Sequence, residues 1–371
     1  MRWSDWARQE NDRTRAESRW RQVRDLDTLG PRGRLADGTE VVSFASNDYL
    51  GMSAHPLVVR AAHEALDHWG AGAGSARLIV GGRPIHTRLE QELADWKGTE
   101  RALLFPNGFA ANLGVLSALG TEGTLICSDE LNHASIVDGC RLARADVRTY
   151  PHADVEALDE LLRAAHRAII VSDLVFSMDG DIAPVGELLE VARRHGALLI
   201  LDEAHAVLGP DIEIAGADVV RVGTLSKFVG SFGGFVAARS EIVELLINRS
   251  RPFIFTTATP PADAAAALAS IELIRSAEGD ALRTRLRTLI DRVRPGHDSP
   301  IIPFVVGDEA EATEVSARLL ERGLLVPAIR PPSVPPGTSR LRVTLSAAHT
   351  DEEVGRLIGS LRELEVVGAR A

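Results

Sequence analysis

Two apolar runs, each ending in residues able to do chemistry, lie close together in the chain. Ala197-Leu-Leu-Ile-Leu leads into Asp202-Glu203-Ala204-His205, and Val219-Val-Arg-Val-Gly leads into Thr224-Leu-Ser226-Lys227. Runs of this length read as buried strands. In an open parallel sheet the strand ends face the ligand crevice. A carboxylate, an imidazole, two hydroxyls and an amine would be delivered there. That is the set a pyridoxal phosphate (PLP) enzyme needs, with a lysine for the Schiff base and a carboxylate for the pyridinium nitrogen.

Of the 41 lysines and arginines, only Lys97 and Lys227 are lysines. Where only positive charge is needed the chain uses arginine, which stays protonated and cannot act as an amine nucleophile. Lys97, in Trp96-Lys97-Gly98, reads as the last turn of a helix, where a cation suits the dipole. Lys227 ends a strand beside glycines. On this spacing alone it is read equally well as a Schiff-base lysine or as an ordinary surface lysine.

Strands at Arg101–Phe105, Gly123–Ser128, Val147–Tyr150, Ala168–Asp173, Ala197–Asp202, Val219–Leu225 and Gly234–Ala237 would position these groups. Helical patterns fall between most of them, at Phe109–Leu119, Ser135–Ala143, Val155–Ala165 and Gly186–His195. The alternation predicts an α/β fold with a predominantly parallel central sheet and helices on both faces. Gly233-Gly234 predicts a turn straight back into the next strand. Residues 3–25 read as a charged helical arm, 56–69 and Pro84–Trp96 as helices, and Leu324–Ile329 as one strand. The glycine loop Gly70-Ala-Gly72-Ala-Gly74-Ser75-Ala-Arg77 follows a helix and has the wrong spacing for a dinucleotide fingerprint. It reads as a mobile loop of the substrate site. The expected domains are an N-terminal arm at 1–45, a large α/β domain at 46–265 and a smaller C-terminal α+β domain at 266–371.

A formal net charge of −11 argues against nucleic-acid or anionic-membrane binding. Two cysteines, Cys127 and Cys140, are too few for a disulfide framework. No His/Cys/Glu grouping has metal-ligand spacing, so no metal is expected. With no signal-like apolar core at the N-terminus, a cytoplasmic location is the expectation.

Several segments, in order along nearly the whole chain, resemble the α-oxoamine synthases, PLP-dependent enzymes of fold type I. They are Ser46-Asn47-Asp48-Tyr49-Leu50-Gly51, Phe105-Pro-Asn-Gly108-Phe109-Ala-Ala-Asn112, Asn132-His133-Ala-Ser135, Phe176-Ser177-Met-Asp-Gly-Asp181, Asp202-Glu-Ala-His205, Gly223-Thr224-Leu-Ser-Lys227 and Phe255-Thr256-Thr257-Ala-Thr-Pro-Pro261. The resemblance implies a role for each matching residue. Lys227 would carry PLP and then serve as base for the substrate's α-proton. Asp202 would pair with the pyridinium N–H, His205 with the phenolic oxygen, and His133 would stack on the ring. Gly108 and Phe109 would offer backbone N–H groups to the phosphate, as helix starts do. Thr224 and Ser177 would face the cofactor, and Thr256 and Thr257 would reach a neighbouring subunit's phosphate in a homodimer. Arg342 would bind the amino-acid carboxylate. Arg21, Asn47, Arg330 and Ser333 would complete the substrate contacts.

Within the family, the proline-rich stretch Ala328–Arg342 resembles the branch that condenses L-alanine with a pimeloyl thioester, either pimeloyl-CoA or pimeloyl-acyl carrier protein. Rival expectations are a family member using glycine or serine, or a fold-type I aminotransferase. The sequence departs from the family pattern at Glu203 and Ala206 (usually Asp and Gly), at Phe228 and in the glycine loop. These departures bear on acyl-chain fit rather than on PLP chemistry.

Overall fold

The computed structural model describes residues 1–17, 19–21, 23–210, 212 and 216–366. The chain divides into two compact units, one formed by residues 1–47 and 286–371 and the other by residues 48–285.

The N-terminal part of the first unit begins with α1 (Trp3–Ala16), which buries none of its side chains. The helix stops well short of residue 25. The continuation through Arg19, Trp20 and Arg21 has no aliphatic stripe to bury, and Arg21 is exposed in irregular chain. A hairpin follows, β1 (Leu26–Leu29) and β2 (Arg32–Leu35), and then β3 (Glu40–Ser43).

The second unit opens with α2 (Pro56–Trp69) and α3 (Pro84–Lys97). The glycine loop lies between them, entered from a helix and not from a strand. Then come β4 (Arg101–Phe105), α4 (Gly108–Leu119), β5 (Leu125–Asp129), α5 (Ala134–Leu142), β6 (Asp146–Tyr150), α6 (Val155–Leu162), β7 (Ala168–Asp173), α7 (Val185–His195), β8 (Leu198–Asp202), β9 (Val219–Thr224) and β10 (Gly234–Ala238). The seven strands form one sheet in the order β4-β10-β9-β8-β7-β5-β6. Only β10 runs antiparallel to its neighbours, with Gly234 opposite Thr224 on one side and Phe105 on the other. The Gly233-Gly234 turn therefore returns the chain as expected. A Cβ at Gly234 would come within 2.3 Å of the Asn107 backbone, so only glycine fits where β10 enters the sheet.

Strand residues alternate between two cores. Ile126, Ile169, Val171 and Ile200 pack with α4 and α5 on one face, while Cys127, Ile170, Leu199 and Leu201 pack with α6 and α7 on the other. Burial on both faces explains why these strands read as unbroken apolar runs. The C-terminal ends of β4, β5, β7, β8 and β9 share one edge of the sheet, because these five strands point the same way.

Two helices follow, α8 (Ser240–Arg249) and α9 (Arg251–Ile254), and then α10 (Pro261–Ile274). The alanine-rich body of α10 is buried and packs on α2 and α3. This packing carries the large unit on to residue 285, past the boundary read at 265.

In the first unit, α11 (Ala277–Val293, which starts in the second unit), β11 (Ile301–Gly307), α12 (Glu309–Glu321), β12 (Leu324–Leu325), β13 (Ala328–Ile329), β14 (Ser339–Thr344) and α13 (Asp351–Glu363) complete the chain. The strand read at Leu324–Ile329 is two strands in two sheets. β12 runs parallel to β3, whereas β13 pairs antiparallel with β14. Pro327, with no N–H to donate, sits at the break and accepts from the Arg342 backbone N–H at 3.1 Å. The N-terminal strands thus join the C-terminal unit and do not form a separate arm. The bidentate pair Arg32–Glu353, with contacts of 2.6 and 3.0 Å, reinforces that union. A capping box opens α13, with Thr350 N donating to Glu353 at 2.8 Å and Glu353 N donating to Thr350 Oγ1 at 3.2 Å. Among the described residues no helix is long and apolar enough to cross a membrane.

Candidate active site

The shared strand edge of the large unit holds a cavity of about 230 Å³. Its walls include Gly108 and Phe109 from the start of α4, His133 from the start of α5, Asp202 and His205 after β8, and Thr224 and Lys227 after β9, with Ser177 from the β7–α7 connection. The cofactor residues expected from the sequence converge there, apart from Thr256 and Thr257.

Lys227 Nζ lies 2.8 Å from His205 Nε2, and His205 Nδ1 lies 2.6 Å from the Tyr49 hydroxyl. An ammonium can only donate, so Nε2 accepts and the Nδ1–H points at Tyr49. The imidazole is thereby fixed in one tautomer and holds the amine in place. Asp202 is buried. Its Oδ2 accepts from Asn112 Nδ2 at 2.6 Å and its Oδ1 from the Ala204 N–H at 2.9 Å. Asn112 also donates to Ser135 Oγ at 2.9 Å, and Ser135 Oγ is 2.7 Å from His133 Nδ1. The His133 backbone N–H donates to Asp173 Oδ2 at 2.7 Å.

Asp173 and Asp202 end neighbouring strands in register. Complete burial pushes the Asp173 carboxyl well above the usual range, and the Asp202 charge pushes it further, which favours the neutral form of Asp173. Burial lowers the His133 pKa, and the Lys227 charge lowers it further against the opposing pull of Asp202. A neutral imidazole suits a face-on contact with a cationic ring. His133 Nδ1 also caps α5 by accepting from Ser135 N at 3.2 Å. Phe109 meets its ring edge-on at 6.5 Å.

These residues fit PLP. Asn107 caps α4 by accepting from the Ala110 N–H at 2.8 Å, leaving the N–H groups of the first turn at the cavity beside the Thr224 and Ser226 hydroxyls. A Cβ on Gly108 would lie 3.2 Å from the Thr224 Cβ, a tight contact, so glycine suits the close approach of helix start to strand end. Asn112 Oδ1 is buried with no hydrogen-bond partner among the described residues, a second acceptor next to the Asp202 carboxylate. An anion cradle at one end and paired acceptors at the other match a phosphate and a protonated ring nitrogen.

Thr256 and Thr257 are exposed after α9, not on a strand surface, and line a separate small cleft with Arg77. The substrate residues belong to the other compact unit. There Arg342 is buried on β14 and donates to Asn47 Oδ1 at 3.3 Å. Arg330 and Ser333 lie in the proline-rich turn, joined by a 3.1 Å backbone bond. Arg21 is exposed beyond α1.

The sequence reading gave no role to Tyr49, Asn112, Ser135 or Asp173. Two of these carried a usable signal. Asn112 follows Gly108 by one helical turn and so shares its face. Asp173 closes an apolar run just as Asp202 does. Lys97 does end its helix, but its ammonium is buried, 2.7 Å from Glu203 and over the Trp96 ring at 3.7 Å, which is an ion pair and not a surface cation on a dipole. Burial alone would raise the Glu203 carboxyl, but Lys97 and Arg221 outweigh it and hold it below the usual range. Phe228 packs edge-on against Trp96 at 6.1 Å. The departures at Glu203, Ala206 and Phe228 therefore gather around Trp96–Lys97 on a second cavity and not on the Lys227 cavity.

The aminotransferase class I and II family model matches residues 39–361. The 8-amino-7-oxononanoate synthase of Paraburkholderia xenovorans is 45% identical over 376 residues, covering 95% of each chain. Among solved structures, a serine palmitoyltransferase from S. paucimobilis with PLP bound superposes with a TM-score of 0.89 at 31% identity over 98% of both chains. The 8-amino-7-oxononanoate synthase of Francisella tularensis gives 0.74 at 27% identity over 88% of this chain and 98% of that one. These relatives agree with the resemblance carried by the sequence segments. The chain belongs to the aminotransferase class I and II family, the PLP enzymes of fold type I, and within it to the group of the 8-amino-7-oxononanoate synthases.

Proposed function

We propose that this chain uses PLP to condense L-alanine with a pimeloyl thioester, giving 8-amino-7-oxononanoate, carbon dioxide and free thiol in biotin synthesis. A bond forms between the alanine α-carbon and the acyl carbonyl carbon, the thiolate leaves, and the alanine carboxylate departs as carbon dioxide. The observation that carries the reading is the pairing of Lys227 with His205 in the cavity that also holds Asp202 and His133. Bound PLP supplies the electron sink that stabilises negative charge at the α-carbon. As the neutral amine Lys227 Nζ takes the α-proton, and the ammonium so formed donates to His205 Nε2. Asp202 keeps the proton on the ring nitrogen, and His133 covers the ring face. Thr224 and the start of α4 would hold the phosphate end, and Ser177 would face the cofactor. The proposal includes a cytoplasmic homodimer in which exposed Thr256 and Thr257 reach the neighbouring subunit's phosphate.

Purified protein incubated with PLP, alanine and pimeloyl-CoA should release thiol and form the amino-ketone, with no keto-acid co-substrate required. The likeness to serine palmitoyltransferase supports a second reading with serine or glycine as the amino acid. The same incubation with each amino acid decides between them, and product from serine or glycine alone would overturn the alanine reading. Pimeloyl carrier protein in place of pimeloyl-CoA identifies the donor.

Arg21 and Arg342 should divide the two substrates. Pimeloyl-CoA carries phosphates and a terminal carboxylate, whereas alanine offers one carboxylate for a planar guanidinium. Arg21→Ala should raise the KM for the acyl donor roughly ten- to a hundredfold, the worth of a charge-assisted hydrogen bond, and leave that for alanine unchanged. Arg342→Ala should do the reverse. An Arg21 variant with both KM values unchanged would remove that residue from the site.

A further inference from the structure

His152 stands outside the cavity, two residues beyond the end of β6, yet it joins two of the segments that build the site. Its Nδ1 lies 3.1 and 3.2 Å from the two carboxylate oxygens of Asp129, which ends β5 three residues before Asn132 and four before His133. Its Nε2 lies 2.8 Å from Asp181 Oδ2. With a carboxylate facing each nitrogen, both nitrogens donate, which makes the ring an imidazolium. Asp181 closes the turn that carries Ser177. In that turn Phe176 N donates to Asp181 O at 3.0 Å, and Gly180 N donates to Phe176 O at 2.8 Å. The imidazole also meets the Phe176 ring edge-on at 4.4 Å. Asp181 Oδ1 is buried with no hydrogen-bond partner among the described residues, and Oδ2 is the carboxylate oxygen that meets His152.

We propose that His152 is a positioning residue for the cofactor, a cationic clamp that ties the Ser177 turn to the end of β5 and so aims the Ser177 hydroxyl into the PLP cavity. The inference rests on Ser177 meeting the cofactor and is independent of which amino acid or thioester reacts. The groups facing the imidazole are Asp129 and Asp181, with Glu130 accepting from the His152 backbone N–H at 2.9 Å. Burial pulls the His152 pKa down, but the two carboxylates outweigh it and hold it above the ordinary value. With a raised pKa the clamp is intact at low pH and loosens as pH rises through that value.

The test is PLP titration of the apoprotein, read by absorbance, for the wild type, His152→Gln, Asp181→Asn, Ser177→Ala and the His152→Gln/Ser177→Ala double variant. His152→Gln and Asp181→Asn should each weaken PLP binding about tenfold, the scale of a lost charged hydrogen bond. The double variant should bind no worse than Ser177→Ala alone, because the two residues act on one contact. The wild-type advantage over His152→Gln should shrink as the pH is raised, which a mere packing role would not produce. Additive losses, or a pH-independent ratio, overturn the clamp. So does normal PLP affinity in both His152→Gln and Asp181→Asn. If Ser177→Ala alone binds PLP normally, the assigned contact of Ser177 falls and the inference falls with it, while the condensation assay stands or fails separately.

Discussion

Lys227→Ala should cut turnover by about 10⁴-fold or more, since it removes both the covalent anchor and the base, and leave the fold intact. Lys227 is only half-buried at the rim of the cavity, so its truncation removes little core packing. Borohydride treatment of the wild type should fix the cofactor on Lys227 and on no other residue. The chain's other lysine provides an internal contrast. Lys97 is 7% exposed and paired with a Glu203 that is 3% exposed. Lys97→Ala would strip one cation from a buried carboxylate and should cost about 3 kcal/mol, read by urea unfolding, with PLP still attached at Lys227. One variant is thus stable and inactive, and the other is destabilised but keeps its chemistry. Reduced cofactor found on Lys97, or a Lys227→Ala enzyme with appreciable turnover, would overturn the assignment.

The parts of the molecule legible in the sequence are those where burial imposes a pattern. The seven sheet strands are apolar because helices cover both faces, and their polar ends are where the cavity forms. The β1–β2 hairpin escaped notice because Leu26-Asp-Thr-Leu29 and Arg32-Gly-Arg-Leu35 bury almost nothing, so no alternation marks them. Helical periodicity says that α10 is buried but not what it packs against, and α10 packs on α2 and α3 within the unit that runs to residue 285. In the site, the strand-end residues Asp202 and Lys227 were visible as polar groups closing apolar runs. The hydrogen bonds from Asn112 to Asp202 and from His205 to Tyr49 join residues 90 and 156 positions apart. No local spacing encodes such pairs. The departures at Glu203 and Phe228 were visible as letters, but only their packing around Trp96–Lys97 shows that they lie off the cofactor cavity.

Asp202→Asn should retain PLP yet lower kcat by about 10²–10³-fold, the usual loss when a preorganised charge is removed from a site. The carboxylate does two jobs here. It accepts from Asn112 Nδ2 and from the Ala204 N–H, and its charge favours a proton on the facing ring nitrogen, since an opposite charge stabilises the charged form. An asparagine amide keeps one acceptor oxygen and turns an NH₂ toward one of those donors. That leaves a buried donor unsatisfied at a cost of about 1–3 kcal/mol, too little to unfold a domain of this size. The catalytic loss is therefore electrostatic and not a matter of folding. Asp173 sharpens the test. Its carboxyl is held up first by burial and then by the Asp202 charge, so removing that charge lowers its pKa and makes its own ionisation easier. A residual activity in Asp202→Asn that rises with pH would be the trace of Asp173 taking over the negative charge one strand away. The double variant Asp202→Asn/Asp173→Asn should lose that rise. If Asp202→Asn turns over at near-normal rate across the pH range, Asp202 is structural and the ring nitrogen is held by another group.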